Sequence, residues 1–433
     1  MTRWSRLLST APACAAAIAS GAAAITGTGC IGQASRPAPT DAAVFPTGLA
    51  VSPDGTHLAA VSSNFDFAFD AGAVLLAHLP AVEDQLTGTD AVVARPWVGA
   101  VAVPTFGDRP VFSADGAHLL LTTRDTNLLH ELTVDGDTLA CGGADLCAEA
   151  PRALALAQND PFDVVLIEQG DTIRGFVSHQ SGREASFFTL NPAEDDTGRL
   201  RLENGVVNFG EAAFGVRAVA HRPASDGRPA RLYATVERRT NNTVVGADLV
   251  SFEVPAVGRA ADVVPVGVDL ELAVGSRSAR DVVVVRDPTG KDALVVALRF
   301  PDAIARFVVD DDSGLPTLTA VTDTCNVPVS LAVARIPASE APGGSVERVL
   351  VTCQESQAIE LLDPTTLTPT DAVRFYGRSP YDVAVTPDGS RAFVSFFLDN
   401  SIGVFALTDG TAAGLSPIGR LGTPLPRPDD GRE

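Results

Sequence analysis

Short apolar runs alternate with tight polar turns along most of this chain. Residues 379–395 show the pattern well: Val383 and Val385 alternate with smaller residues, a Pro-Asp-Gly turn ends at Gly389, and an apolar run follows at 392–394. Proline fixes φ, aspartate bonds its own backbone, and glycine accepts a positive φ. The pattern therefore predicts a strand, a tight turn and a second strand.

The same hairpin recurs seven times. Residues 49–61 repeat its order of apolar run, Asp-Gly turn and apolar run, and the copies are spaced by 45 residues (Gly344 to Gly389) to 63 residues (Gly227 to Gly290). A third strand follows each copy, and a weaker fourth strand precedes the next copy, for example at 206–209 and 372–376. Periods of this length indicate a repeat architecture. The turn glycines are Gly55, Gly116, Gly170, Gly227, Gly290, Gly344 and Gly389.

Seven units of four antiparallel strands, without a long helical pattern, predict an all-β fold, namely a seven-bladed β-propeller with four antiparallel strands per blade. In this arrangement the turn glycines lie on one face. The connections that enter each first strand, and those between second and third strands, lie on the opposite face, which we call the loop face. Loops on a rigid scaffold are the usual place for binding.

Three of the copies, the first, second and last, also carry a family resemblance. Residues 384–389 (Ala-Val-Thr-Pro-Asp-Gly), 393–395 (Phe-Val-Ser) and 399–405 resemble the YVTN-type β-propeller repeat, and 51–55 and 112–122 match it as well. This repeat is found in bacterial surface-layer proteins, lactonase-like propellers and quinoprotein-dehydrogenase-like subunits. The resemblance covers roughly residues 44–420 and implies the fold, but it leaves the activity open because one fold hosts many functions.

Composition and charge narrow the functional classes. The chain has 433 residues, of which 45% are hydrophobic and 20% charged, which is typical of a globular protein. The formal net charge of −21 argues against nucleic acid as a partner, because phosphates would be repelled.

The N-terminus has the three-part layout of an export signal: Arg3 and Arg6, an uncharged apolar stretch at 7–25, and small residues before Cys30. It resembles a bacterial lipoprotein signal, in which Cys30 becomes the lipidated N-terminus, although Gly27 stands where that family usually has leucine. Plain cleavage or a retained anchor are the alternatives. The predicted division is an export signal at 1–29, a lipidated Cys30 and flexible tether at 30–43, the propeller at 44–422 and a disordered tail at 423–433.

Four cysteines lie beyond the leader, and an even number in an exported chain suggests disulfides. Cys141 and Cys147 bound a short loop that could close on itself. Cys325 precedes the first strand of the sixth unit and Cys353 follows its second strand, so a bridge between them would join neighbouring ends of one hairpin. Buried free thiols are the alternative, and the spacing does not support a zinc site.

Seven arginines are expected on the loop face, where they could form an anion-attracting rim or pair with nearby carboxylates such as Asp281, Asp382, Asp125 or Asp302. They are the candidate ligand-binding residues: Arg109, Arg124, Arg217, Arg238, Arg280, Arg299 and Arg378.

Other candidate chemistry is sparse. The histidines show no metal-binding spacing, with His57 and His118 expected to be exposed beside the turns, so neither a metal nor a cofactor is predicted. Residues 310–314 are expected to form a solvated acidic turn rather than a calcium loop. Alternating Phe65, Phe67 and Phe69 could present an aromatic patch to a partner or fold onto the blade.

These observations favour an exported, lipid-anchored propeller that acts as a non-catalytic binding module in the cell envelope, facing the periplasm or the cell surface. Its partners would be the membrane, through Cys30, and an envelope protein or glycan. A lactonase-like hydrolase is the first alternative, although no family motif can be carried over for its residues. An accessory subunit of a periplasmic redox enzyme is the second, and any haem would belong to a partner because no CxxCH motif occurs.

Overall fold

Seven sheets follow one another along the chain, and the four main strands of each are antiparallel and come from one contiguous segment. The structure, a computed structural model, describes residues 36–424 except 144, 145, 151, 169, 197, 226, 239–246, 339–343 and 409–413. Cys30, the predicted leader and residues 425–433 of the predicted tail lie outside the described residues. Helices in the described part are short, and none of them is long and apolar enough to cross a membrane.

The first three blades span the N-terminal half of the described chain. Blade 1 and the segments within it are β1 (Pro46–Val51), β2 (His57–Ser62), β3 (Gly72–His78), α1 (Leu79–Glu83), β4 (Val92–Val93) and β5 (Trp97–Val103). Blade 2 contains β6 (Val111–Phe112), β7 (His118–Thr123), β8 (Leu128–Asp135), β9 (Thr138–Ala140), a 3-10 turn (Cys147–Glu149) and β10 (Ala153–Ala155). Blade 3 contains β11 (Asn159–Glu168), β12 (Ile173–Ser181), β13 (Glu184–Leu190), β14 (Leu200–Leu202) and β15 (Val207–Asn208).

The remaining four blades are more regular. Blade 4 contains β16 (Ala213–Arg222), β17 (Arg231–Arg238), β18 (Leu249–Glu253), a 3-10 turn (Ala260–Asp262) and β19 (Val266–Val268). Helix α2 (Leu270–Val274) leads into blade 5, which contains β20 (Ser278–Arg286), β21 (Asp292–Arg299), β22 (Ala303–Val309) and β23 (Pro316–Asp323). Blade 6 contains β24 (Pro328–Pro337), β25 (Ser345–Cys353), β26 (Ala358–Leu362) and β27 (Pro369–Arg374). Blade 7 contains β28 (Pro380–Val385), β29 (Arg391–Phe396), β30 (Ser401–Leu407) and β31 (Leu415–Leu421).

This arrangement confirms the predicted seven-bladed β-propeller with four antiparallel strands per blade. The second and third strands are buried on both faces, because neighbouring blades cover them; β7 is buried along its whole length. Six of the seven predicted turn glycines, all except Gly170, are recorded with a positive φ, and that of Gly389 is +72°. A β-carbon there would lie 1.9 Å from the carbonyl oxygen of Arg335 in blade 6, so both conformation and space require glycine.

The ring closes between blade 7 and blade 1. Strands β28 and β1 contact each other, as the first strands of other neighbouring blades do. In addition, β4 pairs in parallel with β31, with Val92 opposite Arg420 and Val93 opposite Leu421. Among the described strands, each blade takes its four main strands from its own segment of the chain.

Both predicted disulfides form. The Cα atoms of Cys141 and Cys147 lie 5.5 Å apart, and those of Cys325 and Cys353 lie 5.8 Å apart, which suits bridge geometry. The second bridge joins the two ends of the β24–β25 hairpin, as the repeat pattern predicts.

Residues 36–43, which the sequence assigns to a flexible tether, contact blade 1. The carbonyl oxygen of Arg36 accepts a 2.8 Å hydrogen bond from the backbone N–H of Asp70, and the Arg36 guanidinium lies over the ring of Phe69. Ala43 is buried against Ala73 and Leu75. These eight residues therefore belong with the propeller.

Candidate functional site

The loop-face ends of the first strands point side chains toward the central axis. In six blades the pairing of the first strand with the second shifts register at this end, as between Ala279 and Asp281 in blade 5 or Pro380 and Val383 in blade 7. A register shift of this kind is a β-bulge, which bends the strand and re-aims its side chains. The shifts occur in β1, β11, β16, β20, β24 and β28.

Aligning the copies on these register shifts, and blade 2 on its isolated bridge between Gly107 and Thr123, places one residue of each blade at the same depth in the channel. We call this set the inner ring. One member is a cation and three are carboxylates, so the cation balances only part of the negative charge of the ring. Its members are Gly48, Arg109, Asp163, Ala218, Asp281, Ser330 and Asp382.

Arg109 spans the channel from blade 2 to the opposite blades. Its Nη2 donates to Oδ1 of Asp382 at 2.8 Å, to Oδ2 of Asp281 at 3.0 Å and to Oγ of Ser330 at 2.8 Å. About a third of this side chain stays exposed in the channel. Burial disfavours its charged form, but the carboxylates of Asp382 and Asp281 outweigh burial and raise the pKa of Arg109 well above its ordinary value.

Each inner-ring aspartate also holds the next blade. Asp382 accepts the backbone N–H of Leu49 at 2.8 Å, and this bond closes the ring from blade 7 to blade 1. Asp281 accepts the N–H of Leu331 at 2.8 Å in the same way. Asp163 accepts the N–H of Val219 at 2.9 Å, and its burial raises its pKa to about 6 although Arg109 and this N–H oppose the shift. The inner ring is therefore mainly structural.

One residue earlier in each copy lies a second layer, which we call the mouth ring. Together with most of the inner ring it lines a cavity of about 40 Å³ that opens on the loop face. A water needs roughly 10–15 Å³ of such space, so the cavity accepts a few waters or one small polar group. The mouth ring comprises Thr47, Asp108, Phe162, Arg217, Arg280, Val329 and Tyr381.

Arg217 and Arg280 form the cationic side of the mouth, and we call them the arginine pair. Their nearest described carboxylate is Glu237, whose Oε1 lies 3.7 Å from Nη1 of Arg217 and 3.8 Å from Nη1 of Arg280. Both distances exceed those of a hydrogen bond. The Arg217 guanidinium lies 4.6 Å from the ring centre of Phe162, and Nε of Arg280 is buried with no hydrogen-bond partner among the described residues.

The charge of this pair is only partly balanced. Burial and the neighbouring charge of Arg217 lower the pKa of Arg280 to about 10, while Glu237 acts in the opposite direction and Arg299 adds to the lowering. Arg280 is still protonated at neutral pH. Two guanidiniums and one distant carboxylate leave a net positive charge that a ligand anion could neutralise with short, charge-assisted hydrogen bonds.

Aromatic side chains cover the opposite side of the mouth, on blades 7, 1 and 2. Ring centres along this aromatic row lie 5.0 to 5.5 Å apart, beginning at Tyr381 in the mouth ring. Phe65 and Phe67 at its outer end are 54% and 65% exposed. The row comprises Tyr381, Phe397, Phe45, Phe65, Phe106 and Phe67. Of the predicted patch, Phe65 and Phe67 join this row, whereas Phe69 lies under the Arg36 guanidinium, and most of the row comes from other loops.

Three phenylalanines of this row have backbones in the left-handed region. The φ angles are +48° at Phe45, +54° at Phe67 and +56° at Phe106. A bulky residue adopts this region at a cost of about 1–3 kcal/mol, and such residues cluster at functional sites. The strained backbone supports a role for the row in binding.

Asp108 lies in the mouth ring between these two sides. Its Oδ2 is buried without a hydrogen-bond partner among the described residues, and Nε of Arg124 lies 3.9 Å away. Burial raises the pKa of Asp108 to about 8, although Arg124 and Arg217 oppose the shift. A carboxyl group that is protonated at neutral pH can donate a proton or a hydrogen bond to a ligand.

The seven predicted arginines divide into two groups. Arg124 pairs with Asp160, Arg238 with Asp248 and Asp269, and Arg378 with Asp399, so these three stabilise local structure. Arg109, Arg217 and Arg280 converge on the channel, and Arg299 lies near Arg280 and over the ring of Phe300.

Sequence reasoning did not single out Asp108, Asp163, Tyr381 and Phe397 as site residues. Alignment of the copies on their turn glycines contains the signal for the first three, because it places them in the two rings. The prediction that His118 is exposed is wrong. Its side chain is buried against Glu131, with Nδ1 and Oε1 2.8 Å apart.

Comparisons with known proteins bear on the fold. No protein-family model matches the chain. No curated protein sequence matches it either. Solved structures similar to it include hydrazine synthase of Kuenenia stuttgartiensis, at 14% identity and a TM-score of 0.56 over 87% of this chain and 98% of that one. A periplasmic gluconolactonase of Pseudomonas aeruginosa has 19% identity and a TM-score of 0.54 over 78% of this chain and 87% of that one.

The β-propeller domain of Cps50 (Swd1) from Myceliophteria thermophila is similar as well, with 10% identity and a TM-score of 0.53 over 84% of this chain and 97% of that one. At these identities the likeness extends to the fold alone. The chain is a seven-bladed β-propeller, and it shares this fold with the structures named above.

Proposed function

We propose that this protein is an exported binding module whose channel mouth holds the anionic group of an envelope partner, a glycan or a protein. The observation that carries the proposal is the arginine pair, which lacks a hydrogen-bonded carboxylate among the described residues and faces the aromatic row across the mouth. The anion would lie against Arg217 and Arg280. The sugar or apolar part of the partner would stack on the aromatic row, since aromatic faces suit both.

The size of the cavity supports a surface-bound partner over an enclosed metabolite. At about 40 Å³ it is far smaller than the roughly 300–1,000 Å³ of a typical small-molecule pocket. Only one charged group would enter, while the rest of the partner stays on the loop face. Glycans with carboxylates, such as muropeptides and uronic-acid oligosaccharides, match this chemistry.

A direct binding assay tests the proposal. Muropeptides and uronic-acid oligosaccharides would be titrated against the wild type and against Arg217→Gln/Arg280→Gln. We expect the double variant to bind at least tenfold more weakly, and wild-type binding to weaken with salt. Arg335→Gln is the matched control, because Arg335 is 68% exposed and lies outside the mouth. Equal binding by both variants would contradict the proposal.

Export and anchoring form a separate part of the proposal. The N-terminal leader and two disulfides support an oxidising compartment. Lipidation of Cys30 would hold the protein on a membrane. Replacing Cys30 with serine should therefore move it from the membrane fraction to the soluble fraction. A variant that stays with the membrane would contradict lipid anchoring and favour a retained helix.

Hydrolysis of a lactone is the second candidate, and Asp108 is the observation that favours it. A buried carboxyl with a pKa of about 8 beside arginines can act as a general acid. A screen of lactones with the purified wild type and Asp108→Asn distinguishes the two functions. Turnover by the wild type that Asp108→Asn abolishes would establish an enzyme, whereas binding without turnover supports the module.

A further inference from the structure

Three potential metal ligands meet on the face opposite the loop face, between blades 1 and 2. His57 is the first residue of β2 and His78 the last of β3, and these two residues pair directly in the sheet. Asp137 lies in the turn between β8 and β9 of blade 2. We propose that His57, His78 and Asp137 bind a divalent transition metal of the zinc type.

The donor atoms are already close together. Nε2 of His57 lies 3.1 Å from Oδ1 of Asp137, and Nδ1 of His78 lies 3.9 Å from the same oxygen. All three donors lie within 4.8 Å of one another. Ligands of a tetrahedral zinc ion, with bonds of about 2.0–2.2 Å, are separated by roughly 3.3–3.5 Å. Small side-chain adjustments would therefore suffice.

The hydrogen bonds around His57 orient its ring so that Nε2, rather than Nδ1, faces Asp137 and the proposed metal position. Its Nδ1 lies 2.8 Å from Oγ1 of Thr56, and that hydroxyl is itself 2.8 Å from Oδ2 of Asp54. An ionised carboxylate only accepts, so the Thr56 hydroxyl donates to Asp54 and accepts from Nδ1–H of His57. Nε2 faces Oδ1 of Asp137 at 3.1 Å and donates to it, so a metal ion would displace this one proton and bind the lone pair of Nε2. Such outer partners orient metal-binding imidazoles and fix their tautomer.

Packing also holds the third ligand in place. The turn that carries Asp137 lies directly on β5 of blade 1, where a β-carbon at Gly99 would be 2.5 Å from the carbonyl oxygen of Asp137. The glycine thus permits a close approach of the two blades. Although the Asp137 side chain is half exposed, its backbone is fixed relative to the two histidines.

The ligand set selects the class of metal. Two imidazoles and one carboxylate suit zinc, cobalt or nickel, whereas calcium and magnesium prefer oxygen ligands. Three protein ligands leave at least one position for water, and a bound ion would join blade 1 to blade 2.

Tryptophan fluorescence provides a local reporter. Trp97 pairs with Ala77, the neighbour of His78, and the only other tryptophan is Trp4 in the predicted leader. In a full-length Trp4→Phe protein we expect one equivalent of Ni²⁺ or Co²⁺ to quench Trp97, and Zn²⁺ to compete. Saturating Zn²⁺ should also raise the unfolding midpoint by roughly 2–6 °C, with reversal by EDTA.

Variants of the ligands complete the test. His78→Ala and Asp137→Asn should each weaken Ni²⁺ and Zn²⁺ binding at least tenfold, while the metal-free unfolding midpoint shows that they still fold. Asp135→Asn is the matched control, because Asp135 is an exposed carboxylate of the same turn and should bind as the wild type does. Absence of a one-to-one complex in the wild type, or unchanged affinity in both ligand variants, would overturn the proposal.

Discussion

The inner ring and the mouth ring occupy consecutive positions in every blade, yet their charges are handled in different ways. In the inner ring, Arg109 is hydrogen-bonded to Asp281 and Asp382 across the channel. In the mouth ring, the nearest described carboxylate to Arg217 and Arg280 is that of Glu237, which lies beyond hydrogen-bond distance from both. A shift of one residue along the strand thus separates charges that hold the fold from charges that remain available to a ligand.

The largest effect is expected for Arg109→Met. Loss of the guanidinium leaves Asp281 and Asp382 without their shared cation, and breaking a buried pair is strongly destabilising. Because Arg109 is a third exposed, we expect the free energy of unfolding to fall by about 2–4 kcal/mol, measured by urea denaturation. The loss of unfolding free energy caused by Arg109→Met should be smaller when Asp281→Asn and Asp382→Asn are already present. An unchanged loss there would mean that the charges are not coupled.

The pH dependence of stability tests the mouth ring through Asp108. Its folded pKa of about 8 exceeds the ordinary carboxyl value, so the folded state keeps a proton that the unfolded state releases. Wild-type stability should therefore fall as pH rises from about 4 to 8. In Asp108→Asn this fall should be smaller by roughly 1–3 kcal/mol, as measured by unfolding at several pH values. Asp312→Asn, at an exposed position, should keep the wild-type slope.

A smaller effect is expected for Ser330→Ala in the inner ring. The Ser330 hydroxyl accepts from Arg109 and donates to Oδ1 of Asp382 at 2.8 Å. Removing it should lower the free energy of unfolding by about 1 kcal/mol, because the network loses one bridge. Chemical denaturation with an unchanged m value would measure this loss. A variant as stable as the wild type would mean that water replaces the hydroxyl.

The smallest effect on stability is expected for Arg280→Gln. This change removes a buried charge without a short partner, so the free energy of unfolding should change by less than about 0.5 kcal/mol or increase slightly. Binding of an anionic partner should nevertheless weaken. A loss of stability as large as that of Arg109→Met would remove the distinction between the two rings.

The sequence predicts structure formed by residues close together in the chain, but it does not predict contacts between residues far apart in the chain. The Asp-Gly turns form within a few residues, as where the Ser52 hydroxyl donates to Asp54 at 2.5 Å, so their pattern reveals the blade count. The Arg109–Asp382 contact joins residues 273 positions apart, and no local pattern specifies it. The sequence identified the arginine and the aspartate, but it placed such pairs between adjacent blades rather than across the channel.

The large separation of contacting residues in the chain also explains why the sequence did not predict the aromatic row or the His57–Asp137 pair. Phe45, Phe65, Phe106 and Phe397 come from loops of three blades, and their contact depends on the final curvature of the ring. The turn between β8 and β9 is an addition to blade 2 that the repeat pattern does not contain. Asp137 therefore reaches His57 through packing alone.

Strands β4 and β31 can pair only after nearly all of the described chain has reached the compartment where it folds. Each blade is contiguous in the chain, so it can form as soon as its own strands have reached the compartment where the protein folds. Val92 and Val93 emerge early, but their partners Arg420 and Leu421 are among the last residues of the described chain to emerge. Until then the row of blades remains an open arc with an uncovered surface at each end. A chain that lacks its final blade therefore exposes apolar surface at both ends of the arc, which favours aggregation.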